Sequence, residues 1–288
     1  MDIVNAILQG LLLGGLYALF AAGLSIMFGV MRIVNLAHGD LGIAAAYLAV
    51  VLIGQTVLPL WLVVVVSVPL FSLVGYVVQR TVIQSSLAAG PLATLLVTFG
   101  LSIVIQNALL EAFSADTRTL DAGTFVTSSL QVSDGVRLSW IGIFGLIAAI
   151  IAIVAIQLFL SRTRTGRMMR ASSDDPETAS MVGANPKHVY GVATAIAFAT
   201  VALAGLIFAM RSAFDPSLGP QRLIVAFEAV VIGGLGSLWG TLLGGMALGL
   251  TQSVVSHFDP GSAVLAGHLV FLAVLAFRPK GIIPARAA

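Results

Sequence analysis

The residues able to do chemistry are few. Between Arg32 and Asp40 the chain places Asn35, His38, Gly39 and Asp40 in nine positions, with the uncharged tracts Ile3 to Met31 and Leu41 to Gln79 on either side. Gln106 and Asn107 stand late in another apolar tract. Glu228 is the one carboxylate between Leu223 and Phe258, and the glycines Gly233, Gly234 and Gly236 follow it. None of these sets is catalytic. His38, His188, His257 and His268 lack H-E-x-x-H spacing, and there is no G-x-x-x-x-G-K-[ST] phosphate loop or G-x-S-x-G elbow. Without cysteine, no disulfide or thiolate metal site can form. The expectation is a chain that is not an enzyme and holds no metal or cofactor of its own.

What positions these residues follows from composition. Of the 288 residues 59% are hydrophobic and 9% charged, with mean hydropathy +1.06. Soluble domains run at about 45–50% and about 25%. Fourteen basic and twelve acidic side chains cannot coat a soluble surface of this size. A soluble enzyme and a disordered chain are excluded. The pI near 9.3 reflects a net charge of only +2, too thin for a nucleic-acid partner. The fold class is an all-α polytopic membrane protein, since a crossing helix needs about 20 apolar residues and no strand-like alternation is present.

The neutral tracts predict about eight to nine crossings: 4–30, 41–58, 61–79, 92–110, 139–160, 190–210, 223–237, 240–256 and 262–277. The seventh is short and ends in glycines, so it reads as a crossing or as a re-entrant segment. Broken or re-entrant stretches are expected near 32–40 and 228–240, within a single transmembrane domain over 1–288. Residues 111–137 read as an extracytoplasmic loop and 161–189 as a cytoplasmic one. About ten of the 14 basic residues fall on one side, which puts the N-terminus outside and the C-terminus in the cytoplasm. Asp2 and a long apolar run argue against a cleaved signal peptide.

Polar groups at membrane depth are costly and normally face a cavity or a partner. Glu228 reads as interfacial or as lining a pathway. Gln106 and Asn107 read as interhelical hydrogen bonds or substrate contacts. Arg32 to Asp40 reads as a turn or as a discontinuous helix beside a transport path. The spacings Gly10-x-x-x-Gly14, Gly236-x-x-x-Gly240-x-x-x-Gly244 and Gly245-x-x-x-Gly249 favour close helix packing. The denser Gly233-Gly234-Leu235-Gly236 run favours a break that lines a cavity.

Eight charges lie between Arg162 and Lys187. Within this loop a helix is predicted over about 175–182. Ser173 or Asp174 can cap it, Pro176 suits its first turn and Gly183 its C′ position. A plain connector needs no capped helix, so the loop reads as a docking element.

Glu177-x-Ala179-x-x-x-Gly183 looks like the E-A-A-x-x-x-G loop of ABC importer permeases, with Thr178 where a second alanine is usual. GLYALFAAGLS (15–25), NLAHGD (35–40), GRMMRA (166–171), AFEAVVIGGLGS (226–237) and RPKGI (278–282) resemble segments of the branched-chain (hydrophobic) amino acid uptake permeases, and most the smaller of that system's two permeases. The likeness runs from about residue 7 to 284. It implies a bacterial or archaeal plasma-membrane importer of two related permeases, two ATP-binding subunits carrying ATP and Mg, and an extracytoplasmic binding protein. Arg170, Asp174, Glu177, Ala179 and Gly183 would couple to the ATPase. Asn35, His38, Gly39, Asp40, Glu228, Gly233, Gly234 and Gly236 would mark the translocation pathway, with breaks at equivalent places in two halves split near 138. Relatives of this family carry urea, short amides or other amino acids, and the binding protein largely sets the choice. A secondary transporter or channel working without ATP is the other class. It would need ion-coupling carboxylates, and Glu228 is nearly alone.

Overall fold

The computed structural model describes residues 3–56, 59–120, 123, 128–133, 136–181 and 183–283. In lipid each backbone N–H and C=O must find a partner within the chain, so long neutral tracts become helices. In chain order these are α1 (Ile3–Met31), α2 (His38–Thr56), α3 (Leu60–Val78), α4 (Gln84–Ala89) and α5 (Pro91–Phe113). After them come α6 (Trp140–Arg162), α7 (Arg164–Asp174), α8 (Pro176–Met181), α9 (Pro186–Arg211), α10 (Gly219–Gly233), α11 (Leu238–Phe258) and α12 (Ala263–Phe277). A π turn over Gln79–Ile83 joins α3 to α4 without a break. Seven stretches among the described residues are long and apolar enough to span: α1, α3 through α4, α5, α6, α9, α11, and Pro260–Phe277, which contains α12. Part of the segment read as a loop over 111–137 is instead an antiparallel hairpin, β1 (Ser129–Ser133) with β2 (Val136–Ser139), Leu130 opposite Leu138.

Side-chain contacts place the helix ends on two faces. Tyr76 near the end of α3 meets His188 at the start of α9, and Gly29 near the end of α1 lies against Gly236. With them sit Arg32, Arg80 and the charged 162–188 segment, so this is the basic face. On the opposite face, Asn5 and Gln9 of α1 bond the backbone of Arg137 in β2, and Arg118 pairs with Phe214 just beyond α9.

Two helices begin inside the body. His38 opens α2 against the Phe20 carbonyl, midway along α1, and Asp40 reaches Ser102, midway along α5. Residues 32–37 therefore return from the basic face to half depth without helix. From there α2 runs to the opposite face, where Tyr47 stacks on Phe113 at a centroid distance of 4.5 Å. The second case is α10. It starts at Gly219 against Gly39 and Asp40, and ends at Gly233 near the basic face. Its 15 residues reach about 22 Å at 1.5 Å per residue, short of a hydrocarbon core of about 30 Å. The seventh crossing is thus made by residues 212–233: an irregular stretch over 212–215, a 3-10 turn over Pro216–Leu218, then α10, which runs into the region expected to break at 228–240 and ends there at Gly233.

The order long helix, extended return, half helix, two long helices occurs twice: α1 to α5 and, running the other way, α9 to α12. The internal counterpart of 32–37 is consequently 212–218, not the glycines at 233–236. Glycine spacing holds the halves together. Gly10 and Gly14 of α1 lie against the α11 backbone at Gly249 and Gly245, where an added Cβ would meet main chain within 3 Å. Two of the three motifs read from sequence as packing codes are used against each other, and Gly240 and Gly244 of the third lie against α10 at Gly233 and Ala229.

Candidate translocation and coupling sites

The first site is the meeting of the α2 and α10 N-termini. Asn35 turns the chain inward, its Oδ1 accepting the Ala37 N–H at 3.0 Å. His38 is fully buried and donates from Nε2 to the Phe20 carbonyl at 2.8 Å. Gly39 lies so close to Gly219 that neither position has room for a Cβ. Asp40, buried at the third residue of α2, accepts from Ser102 Oγ at 2.6 Å. Ser102 in turn accepts from Gln106 Nε2 at 3.1 Å. Asp40 Oδ1, Asn35 Nδ2 and His38 Nδ1 are buried with no hydrogen-bond partner among the described residues. A carboxylate there sits at the positive ends of two helices, which favour it. Asn35, His38, Gly39 and Asp40 are thus one cluster at half depth, in a discontinuous helix rather than a surface turn. Ser102 and Gly219 complete it, and sequence reading missed both. Gln106 joins through Ser102, while Asn107, among the described residues, donates only to the Ile103 carbonyl of its own helix.

Glu228 belongs to a different contact. It is buried on α10, and its Oε1 meets His268 Nδ1 of α12 at 2.5 Å. His268 keeps 39% of its side chain exposed, so the pair joins the interior to the outer surface of α12. Beside it Tyr17 Oη donates to Gln252 Oε1 at 2.6 Å, tying α1 to α11. Glu228 is therefore buried against α12 rather than open to solvent. Its partner, 40 positions away, carried no sequence signal.

Gly233, Gly234 and Gly236 lie at the basic face. Gly234 and Gly236 adopt φ of 111° and 80° in the turn from α10 to α11. The C-terminal segment closes over it: Ile282 and Ile283 donate N–H to the Ile232 and Gly233 carbonyls at 2.8 and 2.9 Å. The glycines serve a tight, covered turn rather than an unwound stretch at mid-membrane. The AFEAVVIGGLGS and RPKGI segments pack on one another there.

The 161–189 segment is more helical than the sequence suggests. α7 precedes the predicted short helix and takes in Arg170, Ser173 and Asp174. Its face bearing Gly166, Met169 and Ser172 is buried. The cap of α8 is consequently Asp175, not Ser173 or Asp174. Asp175 Oδ1 accepts from the Glu177 and Thr178 N–H groups at 3.0 and 3.2 Å, and Oδ2 accepts from Thr178 Oγ1 at 2.5 Å. Those bonds, the Thr178 hydroxyl first, hold the Asp175 carboxyl below the usual aspartate range. Thr178, the departure from the family pattern, completes the cap. At the other end Ala184 donates N–H to the Ala179 carbonyl and Gly183 to Ser180, with Gly183 at φ 88°, a Schellman stop. Ala179 is buried on the inner side of α8, Glu177 is exposed, and Met181 stands 84% exposed at the tip. Arg170, Asp174 and Gly236 line one cavity of about 860 Å³ on this face.

A nearly all-helical body with two helices starting at half depth, and a capped helix on its basic face, suits a membrane transport protein. The sequence matches the family described as branched-chain amino acid transport system / permease component over residues 6–277, and the chain belongs to that family. It is 30% identical over 296 residues to the high-affinity branched-chain amino acid transport system permease protein BraD of Pseudomonas aeruginosa, covering 97% of this chain and 95% of that one. To LivH of Escherichia coli, a permease protein of the same kind of system, it is 27% identical, covering 96% and 93%. To LivM of Escherichia coli it is 26% identical over 153 residues, 51% of this chain and 35% of that larger permease.

Proposed function

We propose that this chain is a permease subunit of an ATP-driven importer of branched-chain amino acids, paired with a second, LivM-like permease. Two ATPase subunits bind ATP and Mg at the basic face, and an extracytoplasmic protein delivers substrate to the opposite face. The membrane is the plasma membrane, with the N-terminus outside and the C-terminus in the cytoplasm. The observation that carries the docking role is α8: six residues, capped at both ends, presenting Glu177 and the apolar tip Met181 to a partner. In the pathway, the α2/α10 crossing sets the gate and the Asp40–Ser102 bond ties it to α5.

The test is uptake of labelled leucine by proteoliposomes holding the assembled transporter, with ATP inside. ATP-dependent leucine uptake is expected. Glu177→Lys should reduce it at least tenfold and uncouple ATP hydrolysis from added binding protein, while the subunit still inserts. Uptake that survives removal of the ATPases would overturn the ATP-driven reading. Urea uptake without leucine uptake would overturn the substrate.

A further inference from the structure

The cavity of about 860 Å³ on the basic face lies between the end of α1, α6, α7 and the α10–α11 turn. It is within the size range of small-molecule sites, about 300–1,000 Å³. Arg32, Arg170 and Asp174 are its charged groups. Arg170 and Asp174 are four residues apart on α7, a spacing at which opposite charges usually meet. Among the described residues neither forms an ion pair, and nor does Arg32. Ser25, fully buried in α1, lines the cavity, and its hydroxyl has no hydrogen-bond partner among the described residues. The N-terminus of α11, capped by Ser237, opens into the same space, and Trp239 supplies an apolar wall.

Two guanidiniums, a helix N-terminus, a carboxylate and an apolar wall suit a small ligand bearing both charges. We infer that this cavity binds the zwitterion of a free aliphatic α-amino acid. Its carboxylate meets Arg32, Arg170 and the α11 N-terminus, since guanidinium forks and helix N-termini both take carboxylates. Its ammonium meets Asp174, and its side chain lies toward Trp239. The inference rests on the importer reading and deepens it: the receiving face holds its own site for the product. Because Arg170 and Asp174 stand on the helix preceding α8, occupancy would bear on the docking element.

The test uses the full-length chain in lipid nanodiscs with Trp61→Phe and Trp140→Phe, which leaves Trp239 as its sole tryptophan. Its fluorescence is titrated with L-leucine, leucinamide (no carboxylate), 4-methylpentanoate (no ammonium) and inorganic phosphate. A saturable response to leucine is expected, with each of the other three at least about tenfold weaker, the scale of one lost charge-assisted hydrogen bond. Asp174→Asn should erase the preference for leucine over 4-methylpentanoate. No saturable response to leucine, or equal affinity for the leucine analogues, overturns the inference. ATP-driven leucine uptake by the assembled transporter is measured alongside. Uptake with a silent Trp239 removes this site alone, whereas loss of both removes the importer reading as well.

Discussion

Replacing Gly39 by alanine adds one methyl group at the point where the two half helices meet. The Cβ would fall on the Gly219 carbonyl oxygen and within 2.8 Å of the Leu223 backbone nitrogen. Both neighbours are main chain, so no rotamer change can make room, and α2 and α10 must move apart. Overpacking of this kind costs about 1–3 kcal/mol, and backbone neighbours argue for the upper end. Gly54 is the internal control. It lies on the same helix with nothing within 4 Å of an added Cβ, so alanine there should be neutral or stabilising by up to about 1 kcal/mol. The assays are thermal unfolding of the purified subunit and ATP-driven leucine uptake. Gly39→Ala should lower the unfolding temperature and cut uptake several-fold, and Gly54→Ala should do neither. If the two variants behave alike, the crossing is not the tight junction described and its gating role falls.

His268→Ala should leave Glu228 buried without its partner and destabilise by about 1–3 kcal/mol, with the double variant Glu228→Gln/His268→Ala recovering part of the loss in thermal unfolding. The Asp175 cap responds to pH with a definite sign. Its folded carboxyl titrates below the unfolded value of about 3.9, so its stabilisation is complete above that pH and is lost as pH falls through the folded value. Amide protection relative to the intrinsic exchange rate in residues 177–181 should hold from neutral pH to about pH 4 and fall below it, and a loss near pH 6 would contradict the cap. Thr178→Val, which removes the hydroxyl but keeps the shape, should shift that onset to higher pH.

What could be read in the sequence was what depends on neighbours along the chain. Neutral tracts gave the long helices, and the mix at Asn35 to Asp40 gave the discontinuous one. The spacing Gly10-x-x-x-Gly14 gave a packing face, and Pro176 with Gly183 bounded α8 to within a residue. The cap was misplaced by one or two positions because Ser173 and Asp174 are as suitable in isolation. Only the burial of Gly166, Met169 and Ser172 shows that α7 runs on through Asp174. The hairpin was missed although Asp134-Gly135 is a recognised turn signal, because the surrounding Ser and Thr read as loop. The chain does break at 234–237, within the expected 228–240, but glycine density drew attention away from the break at 212–218 that pairs with 32–37. At 212–218 the chain breaks with Asp215 and Pro216 instead, and Gly233 to Gly236 serve a turn that the C-terminal residues cover. Pairs such as Asp40 with Ser102 and Glu228 with His268 join positions 62 and 40 apart, and no local pattern encodes them.

The docking role proposed for α8 is open to a direct measurement. The chain has no cysteine, so Met181→Cys introduces a unique thiol at the exposed tip of that helix. Crosslinking of the assembled transporter with a short thiol-to-amine reagent should join this subunit to an ATPase subunit in high yield, and ATP should change that yield. A thiol at position 181 that crosslinks only to lipid or to the other permease, while the ATPases remain bound, would contradict the account.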